Sequence, residues 1–136
     1  MRSWLVYALI SLVLYGFWGF FPKLSVRDID PLSALLYEIV GACFIGLVVL
    51  FSIGPGLQFT PNGFWFAFLT GVSGMVGTLF FFKAAKWGPI SVVVSLTALY
   101  PLIAITLAAI FLREPITLRQ LMGMGLALIA IFLMSS

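Results

Sequence analysis

Few side chains in this sequence could do chemistry, and Glu38 is the foremost of them. It stands seven residues beyond Pro31, so in a helix that begins there it lies roughly 10 Å along the axis. The surrounding run, residues 31–51, is otherwise free of charge. In hydrocarbon a carboxylate is costly unless it is paired, hydrated or protonated. Glu38 is therefore the candidate for a group that takes up and gives back a proton within the span. The competing reading is a structural ion pair, with Lys83 or with a base from a partner chain. Glu114 sits beside Arg113 at a joint between helices and reads as structural.

Aromatic and hydroxyl side chains supply the other polar handles. Ser11, Tyr15 and Trp18 are spaced four and three apart and share a helix face. Rings with polar tips beside Gly16 and Gly19 suit a face turned to protein or to a cavity, although Trp18 also fits an interfacial belt. Thr70, Gly74 and Thr78 form one small-residue line, with Ser73 and Gly77 beside it. Such lines allow close helix contact or line a pore. Farther on come Ser91, Ser95, Tyr100 and Thr106, with Pro101 near mid-helix. Pro101 removes one backbone hydrogen bond and predicts a kink, with a freed carbonyl able to face a cavity. Ser and Thr can also bond to carbonyls of their own helix, so these hydroxyls do not by themselves establish a path.

Several function classes are excluded. The chain has no histidine, and its one cysteine, Cys43, lies within an apolar run. No catalytic pair, metal-ligand cluster or intrachain disulfide follows from these residues, so no enzyme, metal or cofactor is expected. The formal charge of +3 comes from seven basic residues scattered at helix ends, which form no nucleic-acid patch. No filter-like segment marks a selective channel.

The elements that position these side chains are apolar helices. Of the 136 residues 63% are hydrophobic and 8% charged, against about 25% charged in soluble domains. A soluble fold of this size could not hide so much apolar surface. The expectation is an all-α, multi-pass integral membrane protein of the plasma membrane, one domain over residues 1–136, with lipid as its solvent. Five spans are predicted, at about 4–21, 31–51, 61–85, 89–112 and 118–134. Arg2 and Trp4 would anchor the first, which is longer than the apolar core of a signal peptide and has no cleavage site after it. Asp30-Pro31 and Thr60-Pro61 each place a side-chain acceptor before a proline, a helix-start signal. Thr117 and Gln120 form a capping box for the last helix. That helix carries Gly123 and Gly125 but no polar side chain until Ser135, which suits packing or dimer contact.

Five spans place the termini on opposite sides. One side then holds Arg2, Arg113 and Arg119; the other holds Lys23, Arg27, Lys83 and Lys86. Short-loop basic residues set orientation, and so even a distribution favours neither. Insertion in both directions would let two copies pair antiparallel into a ten-helix body, the plan of inverted-repeat transporters. Single insertion, guided by a partner, is the alternative.

The sequence resembles the EamA domain of the drug/metabolite transporter superfamily. The resemblance is carried by Lys83-Ala84-Ala85-Lys86-Trp87-Gly88-Pro89-Ile90-Ser91, by Leu99-Tyr100-Pro101-Leu102, and by Phe111-Leu112-Arg113-Glu114-Pro115 through Gln120 to Gly123. Tyr15-Gly16-Phe17-Trp18-Gly19 is similar to the family's first-helix Trp-Gly region. Arg113 stands where the family usually has glycine, Ala130 where glycine is frequent, and Glu38 where many members have a basic or small residue. Most relatives carry two such units fused in inverted orientation, so a single unit implies an antiparallel homodimer or a second half. The resemblance implies a secondary transporter that exports small polar or amphipathic metabolites by alternating access. The substrate cavity would draw on Tyr15, Trp18, Glu38, Ser73, Gly77, Ser95 and Tyr100. Gly16, Gly19, Gly71, Gly74, Pro101 and Gly123 would serve motion and packing. A non-transporting membrane subunit, a half-transporter that needs a partner, and a flippase for lipid-linked substrates are the alternatives.

Overall fold

The computed structural model describes residues 3–135, all of whose regular structure is helical. Arg2, the expected anchor of the first helix, lies outside the described residues. The chain divides into two compact units, Met1–Trp87 and Gly88–Ser136.

The first unit holds α1 (Ser3–Asp28), α2 (Pro31–Ile53) and α3 (Pro61–Trp87). All three are long and apolar enough to cross a membrane. α1 runs seven residues beyond the expected end at Phe21, through Pro22 and the polar segment after it. Pro22 cannot donate to the Trp18 carbonyl, yet the helix continues because Pro22 and Val26, four apart on one face, are both buried. Packing thus outweighs the lost bond, and the expected nine-residue loop shrinks to Ile29 and Asp30. Asp30 then caps α2, its carboxylate accepting from the backbone N–H of Leu32 at 2.9 Å and of Ser33 at 3.1 Å.

α2 ends at Gly54, whose φ of 57° and ψ of −135° suit glycine alone. A 3-10 turn, Gly54–Gly56, leads on towards α3. At the start of α3, Phe64 bonds the Thr60 carbonyl at 2.9 Å. A Cβ at Gly63 would stand 2.6 Å from Thr60 Oγ1, so a larger residue there would force that hydroxyl to move. Phe59, Phe64, Trp65 and Phe68 form a chain of ring contacts here.

The core of this unit is confined to one end. On α3 the buried residues are Thr78, Phe81, Phe82 and Ala85, spaced three, one and three apart on one face. The other buried residues described in this unit are Gly19, Pro22 and Val26 of α1 and Ala34 in the first turn of α2. Between Gly41 and Gly74 every residue with a described side chain is exposed. Added Cβ atoms at Gly41, Gly46, Gly71, Gly74 and Gly77 would meet nothing within 4 Å. These small residues therefore leave open space where a side chain would project.

The second unit holds α4 (Ile90–Thr97), α5 (Tyr100–Phe111) and α6 (Leu118–Ser135). The single helix expected over 89–112 is two helices, joined at Ala98 and Leu99. Pro101 is the cause. It has no N–H for the Thr97 carbonyl, and the chain crosses the gap with tighter bonds, from Leu99 to Leu96 at 3.2 Å and from Leu102 to Leu99 at 2.9 Å. Together α4 and α5 make a fourth apolar span, Ile90–Phe111; α6 is shorter. The expected capping box is present: Thr117 N–H donates to Gln120 Oε1 at 2.8 Å, and Gln120 N–H to Thr117 Oγ1 at 3.3 Å.

Candidate functional site

The polar centre of the first unit joins α1 and α2. Trp18 Nε1 donates to Glu38 Oε1 at 2.9 Å. The other carboxylate oxygen, Oε2, is buried and has no hydrogen-bond partner. The Trp18 ring packs against Phe81 of α3, with centroids 5.2 Å apart and planes tilted by 35°. One residue from each helix therefore meets at a level inside all three apolar spans. Glu38 is half-buried there, and Trp18 keeps 40% of its surface exposed.

Lys83, an expected ionic partner for Glu38, is elsewhere: its ammonium stands 5.5 Å from the centroid of the Phe80 ring. The neighbouring lysines reach backbone instead. Lys23 Nζ donates to the Ala85 carbonyl at 2.7 Å, and Lys86 Nζ to the Ile29 carbonyl at 3.1 Å. Both acceptors lie at helix C-termini, where carbonyls lack intrahelical donors and the dipole favours a cation.

The remaining expected site residues are dispersed. Tyr15 is on α1, three residues before Trp18, and is exposed. Ser73 is exposed and donates to the Thr70 carbonyl at 3.2 Å; Gly77 lies open beside it. In the second unit Ser95 is buried and donates to the Ser91 carbonyl at 2.7 Å, and Tyr100 is exposed at the start of α5. Thr70, Thr97 and Thr106 likewise donate to carbonyls of their own helices. Back-bonding of this kind engages the proton of each hydroxyl and leaves its oxygen able to accept. Gly16, Gly71, Gly74 and Gly123 have open space where a Cβ would stand, and Gly19 is buried. The second unit also carries an apolar groove of about 470 Å³ beside Leu96, Leu99, Leu128 and Phe132, and a smaller cleft of about 280 Å³ beside Glu114 and Gln120.

Phe81 was not among the expected site residues. Its signal was the 78, 81, 82, 85 spacing, which marks the packed face of α3. The lysine caps carried no such signal, since they join residues 62 and 57 apart in sequence.

A profile of the EamA-like transporter family matches residues 2–136. The chain belongs to that family. It is 28% identical over 135 residues to an uncharacterized protein of Methanocaldococcus jannaschii, a match that covers 99% of this chain and 98% of the relative. No solved structure matches the chain. The family is one of transporters, not of enzymes. For this EamA-like protein Arg113 gains a specific meaning. Its φ is 54°, the left-handed conformation just past the end of α5. Glycine adopts that conformation at least cost, in keeping with the glycine that the resemblance leads one to expect at this place.

Proposed function

We propose that this EamA-like protein is a secondary transporter that exports small polar or amphipathic metabolites across the plasma membrane by alternating access. Its 136 residues act as one half of an antiparallel homodimer. Tyr15, Trp18, Glu38, Ser73, Gly77, Ser95 and Tyr100 contribute to the substrate path, and Glu38 couples transport to protons. The observation that carries this reading is the Trp18–Glu38 bond: a carboxylate held within apolar spans, one oxygen taken by an indole and the other buried without a donor. A purely structural span has no use for so costly a group.

Two features support the dimer. Residues 41–54 and 56–74 are exposed and carry small residues open to contact. Basic residues divide almost evenly between the two sides, the pattern of a chain that inserts both ways.

Vesicles containing the purified protein and loaded with labelled amino acids or nucleosides test the transport reading. Efflux is expected to depend on the pH gradient, and Glu38→Gln to abolish that dependence. Equal flux and equal pH dependence in the variant would remove Glu38 from coupling. Reporters fused to the C-terminus, each active on one side of the membrane only, test the dimer: both give signal if insertion is dual, and one alone refutes it.

A further inference from the structure

We infer that the seam between α6 and the broken helix α4–α5 seats one aminophospholipid, its headgroup ammonium on Glu114 and one acyl chain running inward beside α6. The inference stands apart from the transporter reading.

The seam begins with Pro101. α6 packs along α4, and past the break at Ala98 and Leu99 it packs far less along α5. Space is therefore left between α5 and α6 near the joint that links them. Ala104, Ile105 and Ala108 wall this cleft of about 280 Å³, and Glu114 and Gln120 stand at its mouth. Farther along α6 lies the groove of about 470 Å³, where Leu96 and Leu99 are opposite Leu128 and Ile131. Gln120 and Ile131 are eleven residues, or three turns, apart. Cleft and groove thus follow one face of α6, on which Met124 and Ile131 are half-buried.

The length of the seam fits one leaflet. From Gln120 to Phe132 the helix rises about 18 Å, close to half of the roughly 30 Å of hydrocarbon. Its polar end is also at the right level. Glu114 follows Phe111, the last residue of the fourth apolar span, by three positions, where headgroups meet the protein. A second apolar helix would match the groove but would bring nothing for the polar mouth.

The mouth selects the headgroup. Glu114 is exposed, and among the described residues its carboxylate has no hydrogen bond or ion pair. The Gln120 Oε1 is taken by the backbone N–H and the hydroxyl of Thr117, at 2.8 and 2.9 Å, which leaves Nε2 as the donor. Arg113 and Arg119 stand next to these two residues in sequence. Phosphoethanolamine is the complement: an ammonium whose N–H groups suit a carboxylate, and a phosphate that suits an amide donor and arginines. Phosphocholine carries the same charges but no N–H. Phosphoglycerol has no cation to set against Glu114.

The test is native mass spectrometry of the purified full chain, released from detergent after incubation with dioleoylphosphatidylethanolamine, dioleoylphosphatidylcholine or dioleoylphosphatidylglycerol. One phosphatidylethanolamine per chain is expected, bound about tenfold more tightly than either of the others, the factor that a charge-assisted hydrogen bond supplies. Glu114→Gln, at an exposed position, should erase the preference and leave weak binding of all three. Ala104→Phe fills the cleft from an exposed position of α5 and should weaken binding of every lipid at unchanged helix content. Free phosphoethanolamine in excess should not displace the lipid, because it lacks the chain that the groove holds. Equal binding of the three lipids by the parent protein overturns the inference. So does a preference that survives Glu114→Gln, binding untouched by Ala104→Phe, displacement by free phosphoethanolamine, or a parent protein that forms dimers carrying no lipid. None of these readouts involves flux, so the transporter reading stands or falls separately.

Discussion

Lys23 of α1 reaches across to the last turn of α3 and donates to the Ala85 carbonyl at 2.7 Å. Lys86 of α3 makes the reverse connection, to the Ile29 carbonyl just past the end of α1, at 3.1 Å. Each lysine caps the other helix, and both contacts close the end of the first unit where its buried residues lie.

Removal of either cap should loosen that end. Lys23→Met and Lys86→Met keep the apolar stem and lose the charged donor, and each is expected to cost about 1–3 kcal/mol. The pair should cost less than the sum, because both contacts hold the same helix ends. Lys83→Met, which loses only the contact over Phe80, should cost under about 1 kcal/mol. Unfolding midpoints in mixed micelles give the comparison, and equal losses for all three lysines would refute the capping account.

Two backbone positions should respond in opposite senses. Gly54→Ala puts a Cβ where φ is 57° and ψ −135°, and is expected to lose about 1–3 kcal/mol. Arg113→Gly relieves a side chain held at φ 54° and should gain up to about 1 kcal/mol. Thermal unfolding of the two variants beside the parent protein checks the signs. A destabilised Arg113→Gly would mean that the arginine side chain contributes more than its conformation costs.

Asp30 sets an acid limit on the start of α2. The Ser33 hydroxyl, and after it the backbone N–H groups of Ser33 and Leu32, hold its carboxyl below the ordinary value of 3.8. A depressed folded value means that the stabilisation is complete above pH 3.8 and fades as pH falls through the lower folded value. Helix content followed by circular dichroism should therefore drop in that acid range. Asp30→Asn retains an acceptor without the titration and should show no such step.

The Trp18–Glu38 pair shows how far residue types alone could lead. Depth along a helix singled out Glu38, and its polar handle singled out Trp18, because both properties follow from distance to a helix end. Their partners did not follow. Lys83 was an expected counterion and lies over Phe80, and the backbone acceptors that Ser73 and Ser95 use were not specified by their place in the sequence. Pro101 was expected to bend one helix and divides it into two.

By itself the sequence determined the local features of this protein: apolar runs long enough to span, the caps at Asp30 and Thr117, the place where Pro101 disturbs its helix, and the family. Each depends on residues within a turn or two of one another, or on composition along one run. Tertiary structure decided which side chains meet. These helices are apolar on nearly every side, so no polar face fixes their rotation about their own axes. That rotation is set by shape, in the fit of Phe81 against Trp18 of α1, and by the few polar groups that must find partners in a solvent that offers none. Trp18 with Glu38, and each lysine with the opposite helix end, are the outcome of that constraint.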